Sequence, residues 1–224
     1  VEVALAVRGR LDRLGTSRAI ISLLESTHIV LRDRSPAAQE EAEQALARAE
    51  ITLRLSTGVA EAGPDHVRLS GGRVLSADLV IWTTGTEASP IFRASGLRVD
   101  ARGYLLVDDD LAVRDAPGLF GAGDAVAHAS FPRLPRAGIH AARQGPILAH
   151  NLAQALRGTG AARRYTPAPR ALALLNTGDG RAILSYGGFA TTTGWAMSLK
   201  DRIDRRFLGR FQRLSNGTGM AIVP

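Results

Sequence analysis

The 224-residue chain contains no cysteine. That excludes a disulfide framework, a thiolate metal site and a redox-active dithiol within these residues. It has a single lysine, Lys200, so nearly all of its 28 basic residues are arginine. So one-sided a choice looks more like coding bias than a selected nucleic-acid surface. Aromatic residues make up 5% and rarely interleave with the arginines before the C-terminus, so a net charge of +7 does not by itself point to nucleic acid. No apolar run approaches the roughly 18 residues of a membrane span. No secretory signal is visible either, and a cytoplasmic location is the expectation. The five histidines, His28, His66, His128, His140 and His150, lack short metal-ligand spacing, and no metal site is expected. A Walker loop and a Gly-x-Ser-x-Gly elbow are also missing.

What is present alternates between strand and helix. Val1 to Leu14 has helical spacing without an N-cap before it. Ala19–Leu24 reads as a buried parallel strand ending at Glu25. Ser35-Pro36 opens a helix that should end near Ala49, with serine as cap and proline in the first turn. Ile51–Leu55 is a further strand, and residues 67–75 a hairpin about Gly71-Gly72. Leu79–Trp82 reads as a buried strand running into Thr83-Thr84-Gly85. A helix over 137–156 is interrupted by Gly145-Pro146 and stopped by Gly158. After a linker over 163–170, a hairpin turns at residues 176–180, and an amphipathic helix spans 197–214. Apolar strands alternating with helices predict an α/β fold on parallel sheets.

The stretch Gly118-Leu119-Phe120-Gly121-Ala122-Gly123-Asp124 carries the clearest chemistry: a short strand, two glycines, a carboxylate, and a helix start soon after. Glycines there let backbone approach a ligand, and a carboxylate accepts hydrogen bonds from hydroxyls. A neighbouring helix N-terminus favours electron-rich groups. The set suits a ribose- or ribityl-bearing cofactor; a tight turn with a solvated aspartate is the plain alternative.

Three segments occur in one order: a strand to Glu25, a strand to Thr83-Thr84-Gly85, and Gly121-Ala122-Gly123-Asp124 followed by Ala137-Gly138 and Arg143-Gln144-Gly145. That order resembles the C-terminal part of the FAD-dependent pyridine nucleotide oxidoreductases, proteins with two Rossmann-like dinucleotide-binding domains. Pro135–Pro146 and Ile203–Phe207 are most similar to the type II NADH-dehydrogenase-like branch, in particular the flavoprotein module sometimes fused to selenide, water dikinase. The resemblance covers nearly the whole chain. It implies an NAD(H)-binding domain over 1–86 lacking its first strand and glycine loop, a returning FAD-domain segment over 87–160, and a C-terminal hairpin and helix over 161–224. On this likeness the glycine loop ends just before Val1, with roughly a domain's worth of chain upstream.

The same resemblance implies roles. Glu25 accepts the adenosine ribose hydroxyls and favours NADH over NADPH. Glu2 lies near the nicotinamide and is the candidate catalytic carboxylate. Thr84 and Gly85 line a crossing between domains. Gly123 and Asp124 meet the ribityl chain of FAD, and the amides at Ala137, Gly138 and Ile139 face the flavin pyrimidine. Hydride passes from NADH to flavin and then to a small-molecule or quinone-like acceptor. Ile139 and Arg143 replace glutamines of the quinone-reducing enzymes, which weakens the quinone option. The last helix sets Leu199, Ile203, Phe207, Phe211 and Leu214 against a basic face. Such a stripe ordinarily docks on its own protein; the alternative is peripheral contact with the inner face of an anionic membrane. A non-catalytic fragment with a basic docking helix is the competing functional class.

Overall fold

The computed structural model describes residues 1–16, 18–168 and 172–218, with side chains of the last helix described as far as Gly209. The described residues form two compact units, one within Val1–Ile81 and Arg170–Pro224, the other within Trp82–Pro169.

In the first unit, α1 (Glu2–Arg13) and α2 (Pro36–Arg48) flank a parallel pair, β1 (Ser22–Leu24) and β2 (Thr52–Arg54), in the register Ser22 to Thr52. The start of α2 is set by local chemistry: the Ser35 hydroxyl accepts from the Ala38 amide at 3.3 Å, and Pro36 occupies a first-turn position where no donor is needed. An antiparallel meander follows, β3 (Val59–Ala62), β4 (His66–Leu69) and β5 (Val74–Ser76). The C-terminal hairpin is a three-stranded sheet of β8 (Ala173–Asn176), β9 (Ala182–Tyr186) and β10 (Phe189–Thr193), followed by α5 (Gly194–Thr218). This hairpin shares the core of the N-terminal elements: Ile183 packs with Leu5, Val30, Leu46 and Ile51. Each such fully buried side chain contributes about 1.5–3 kcal/mol.

The second unit contains α3 (Ile91–Ala94), the parallel pair β6 (Leu105–Val107) and β7 (Val126–His128), and the long helix α4 (Gly138–Arg157). Leu105, Val107, Val113 and Val126 form its core.

Four expectations from sequence change. Leu79–Trp82 is not a strand; it pairs with no neighbour among the described residues, and Leu79, Ile81 and Trp82 are exposed. Apolar content makes a buried strand only where a partner supplies the ladder. The segment before Asp124 narrows to one bridge, Phe120 with Ala112, and the neighbouring strand begins after the aspartate, at Val126. α4 runs without interruption through Gly145-Pro146, while Gly158 ends it at φ +66° as expected. Finally, α5 docks by its first turns, where Ala196 is buried and Met197 packs beside it, whereas Ile203 further along is exposed. Phe211 and Leu214 lie outside the described side chains.

Candidate functional site

The two glycines of the Gly121–Asp124 segment serve different ends. A Cβ on Gly121 would meet the Val126 side chain at 2.7 Å, so its absence lets the loop lie flat on the β6–β7 core. Gly123 adopts φ +71°, a left-handed conformation costly for other residues. It opens a single turn of 3₁₀ helix, Gly123–Ala125, directly before β7. The Gly123 amide donates to Gln144 Oε1 on α4 at 2.6 Å. That bond ties the turn to the helix.

Asp124 is exposed, and its carboxylate has no hydrogen-bond or ion-pair partner among the described residues. Its backbone oxygen accepts from Arg136 Nε at 3.3 Å. The Arg136 guanidinium lies over the buried Tyr104 ring, 3.2 Å from its centroid, and the Tyr104 hydroxyl donates to the Thr86 carbonyl. This chain of contacts links the Thr86 carbonyl, through Tyr104 and Arg136, to the backbone of Asp124. Thr84 itself accepts from Trp82 Nε1 at 2.7 Å, and a Cβ on Gly85 would meet open space.

α4 begins at Ala137, extended and without a side-chain cap, so its leading amides lack partners from a cap. Gly138 and Ile139 are exposed in that first turn. Gly123, Asp124, Arg136, Ala137, His128 and Gln144 line a small cleft beneath it, with a volume of about 20 Å³. Gly123, Asp124 and Ala137 therefore converge on one cleft, with Gly138 and Ile139 beside it.

Sequence reasoning missed the buried polar layer below. Gln144 Nε2 lies 2.9 Å from His128 Nε2, and His140 Nδ1 lies 2.7 Å from the Tyr165 hydroxyl. Burial pushes both imidazoles below their ordinary value; the Asp109 carboxylate opposes this at His128, and Arg143 adds to it at His140. Burial raises the Tyr165 hydroxyl. One signal was available: His140, Gln144 and Asn151 recur at core spacing on α4, where apolar residues are the rule.

The two other acidic candidates lie in the first unit. Glu25, half-buried at the end of β1, accepts through Oε1 from the Thr27 amide at 2.9 Å and hydroxyl at 3.0 Å. Glu2 accepts through Oε1 from the Asn176 amide at 2.9 Å and faces Lys200 at 3.4 Å. In both, the second oxygen is left without a described partner. Glu2 thereby fastens α1 to β8 and α5.

The family described as pyridine nucleotide-disulphide oxidoreductase matches residues 1–151. Two NADH dehydrogenase-like proteins from strains of Mycobacterium tuberculosis are each 33% identical over 132 residues, covering 57% of this chain and 33% of their own length. The chain thus spans about a third of the curated relatives it matches. Among solved structures, the sulfide:quinone oxidoreductase of Aquifex aeolicus aligns with a TM-score of 0.73 at 16% identity, over 93% of this chain and 54% of that one. An FAD-dependent pyridine nucleotide-disulphide oxidoreductase from Desulfovibrio vulgaris aligns at 0.64 and 21% identity, over 83% of this chain and 47% of that one. The fold is the α/β, Rossmann-like one of these oxidoreductases.

Proposed function

We propose, from the premise that this chain belongs to the pyridine nucleotide-disulphide oxidoreductase family, that it forms one side of the flavin site of an FAD-dependent oxidoreductase fed by NADH. The residues fit that group. Gly123 provides a left-handed turn, Asp124 an unpartnered carboxylate, and α4 an uncapped N-terminus with a glycine in its first turn. When bound, FAD supplies the two-electron exchange with nicotinamide that no side chain here provides.

The chain's own tasks follow from its donors and acceptors. Asp124 accepts from a ribityl hydroxyl. The amides at Ala137, Gly138 and Ile139 donate to the electron-rich pyrimidine edge, and the helix dipole favours negative charge there. Thr84 and Gly85 allow close backbone approach. The free Oε2 of Glu25 accepts from ribose hydroxyls and repels a 2′-phosphate, selecting NADH. The free Oε2 of Glu2 serves the nicotinamide carboxamide. The electron acceptor is of small-molecule or quinone-like class. Ile139 and Arg143, both exposed, stand where quinone reducers of the resembling branch carry glutamines.

The observation that carries this reading is the Asp124 carboxylate, free of partners beside the α4 N-terminus. Titration of the chain with FAD, followed by flavin fluorescence, tests it. Loss of one charge-assisted hydrogen bond predicts that Asp124→Ala weakens binding by about tenfold or more. Equal affinity of variant and wild type refutes the assignment. The exposed face of α5 supports a second reading, contact with an anionic lipid surface, read out by salt-sensitive co-sedimentation with vesicles.

A further inference from the structure

The polar face that α4 turns inward has a direction built into it. Gly123 N–H can only donate, so the Gln144 oxygen must lie on its side, at 2.6 Å. The Gln144 amide nitrogen then faces His128 Nε2 at 2.9 Å and donates to it. An Nε2 that accepts leaves the proton of a neutral imidazole on Nδ1. His128 Nδ1 is buried without a hydrogen-bond partner, as is Oδ1 of Asp109. The other groups facing this imidazole are His140, the Tyr165 ring at 5.5 Å and the Phe131 ring at 6.4 Å. Arg143 acts on His140 and Tyr165 behind it.

We propose that His128 and Gln144 are positioning residues for the cofactor loop: neutral His128, protonated on Nδ1, holds the Gln144 amide in the one orientation that accepts from Gly123 N–H, and so fixes the left-handed turn that presents Asp124. The proposal rests on the reading of Asp124 as a flavin ligand. A second proton on His128 would set Nε2–H against the Gln144 amide hydrogens. Rotating that amide relieves the clash only by setting the same hydrogens against Gly123 N–H. Either arrangement loses one of the two bonds, the buried one to His128 or the partly buried one to Gly123, where an unmet donor is costly. The loop is therefore coupled to the protonation of an imidazole that need not touch the cofactor.

The test uses the ¹⁵N-labelled chain, with long-range proton–nitrogen spectra for the His128 tautomer, hydrogen exchange for the Gly123 amide, and FAD titration as a separate arm. The expected wild-type result above pH 7 is the Nδ1–H tautomer and a slowly exchanging Gly123 amide. Gln144→Leu should speed that exchange and weaken FAD binding, each by about tenfold. Gln144→Glu keeps an acceptor for Gly123, so its amide should stay slow, while His128 titrates at higher pH because it now faces a carboxylate. An Nε2–H tautomer in the wild type overturns the proposal. So does a Gly123 amide indifferent to Gln144→Leu. Should Gln144→Leu fail to fold, the wild-type tautomer and the His128 titration in Gln144→Glu decide the matter. If the wild-type chain binds no FAD while the tautomer and exchange results hold, the flavin reading falls and the His128–Gln144 bracket stands.

Discussion

His128 and His140 are the imidazoles this fold takes out of water, and each carries a consequence for stability. Burial lowers both below the ordinary histidine value of 6.5. A group with a depressed folded value binds its proton more readily in the unfolded chain. Its contribution is therefore complete above 6.5 and is lost as pH falls from there through the folded value. The chain should lose stability between pH 7.5 and 5 as measured by urea denaturation. His128→Asn removes one of the two titrations, so the variant's loss over that interval should be smaller. An equal or larger loss in the variant would show that His128 does not titrate on unfolding. At this scale the sequence showed part of the candidate cleft. Gly123, Asp124, Ala137 and Gly138 are legible because a left-handed turn and a helix start are local events. The Gln144–His128 and His140–Tyr165 contacts join residues 16 and 25 positions apart. Only the folded chain brings those pairs together.

Elements show the same division. The starts and stops of α2 and α4 are written in Ser35-Pro36 and Gly158, residues whose preferences act within one turn. β3 and β10 escape a reading from sequence because the side chains of β3 are mostly exposed, those of β10 mostly half-exposed, and neither gives an apolar run. Leu79–Trp82 misled in the opposite direction: its composition suits a strand, but strand formation depends on a neighbour. The tightest junction was also invisible in sequence. A Cβ on Gly9 of α1 would run into the carbonyl of Gly178, and one on Gly178 into the carbonyl of Leu5. In an exposed helix, glycine to alanine would stabilise by about 1 kcal/mol. Here the contact is backbone against backbone, with no side chain to swing away, so the steric cost should win. Gly9→Ala should destabilise the chain by about 1–3 kcal/mol in urea denaturation. Gly178→Ala should cost more, because it adds an alanine at φ +80°. A stabilised Gly9→Ala would mean that α1 and the β8–β9 turn do not meet as described.

For the whole molecule, a charge of +7 selects no partner unless it accompanies a surface that can use it. α5 offers one. Trp195, Ile203 and Leu208 are 58%, 45% and 56% exposed, among basic side chains. No described helix is long and apolar enough to cross a membrane; a basic amphipathic helix such as α5 can lie along one. Part of the positive charge is already paired within the chain: Lys200 faces Asp204 at 3.2 Å and Glu2 at 3.4 Å, and at the surface Arg205 pairs with Asp201 at 2.8 Å. Arg202 and Arg206 have no ion pair among the described residues. At about 1 kcal/mol for each basic residue near an anionic leaflet, these two supply about 2 kcal/mol, and burial of the exposed apolar side chains adds to it. The expected behaviour is co-sedimentation with phosphatidylserine-rich vesicles at low salt, release at about 0.5 M salt where charges are screened within a few ångströms, and little binding to neutral vesicles. In a Trp82→Phe background, Trp195 emission should shift to the blue on binding, and Ile203→Asp with Leu208→Asp should abolish both signals. Equal binding to neutral vesicles would refute the electrostatic part. No sedimentation at low salt would leave the apolar face of α5 without a lipid role.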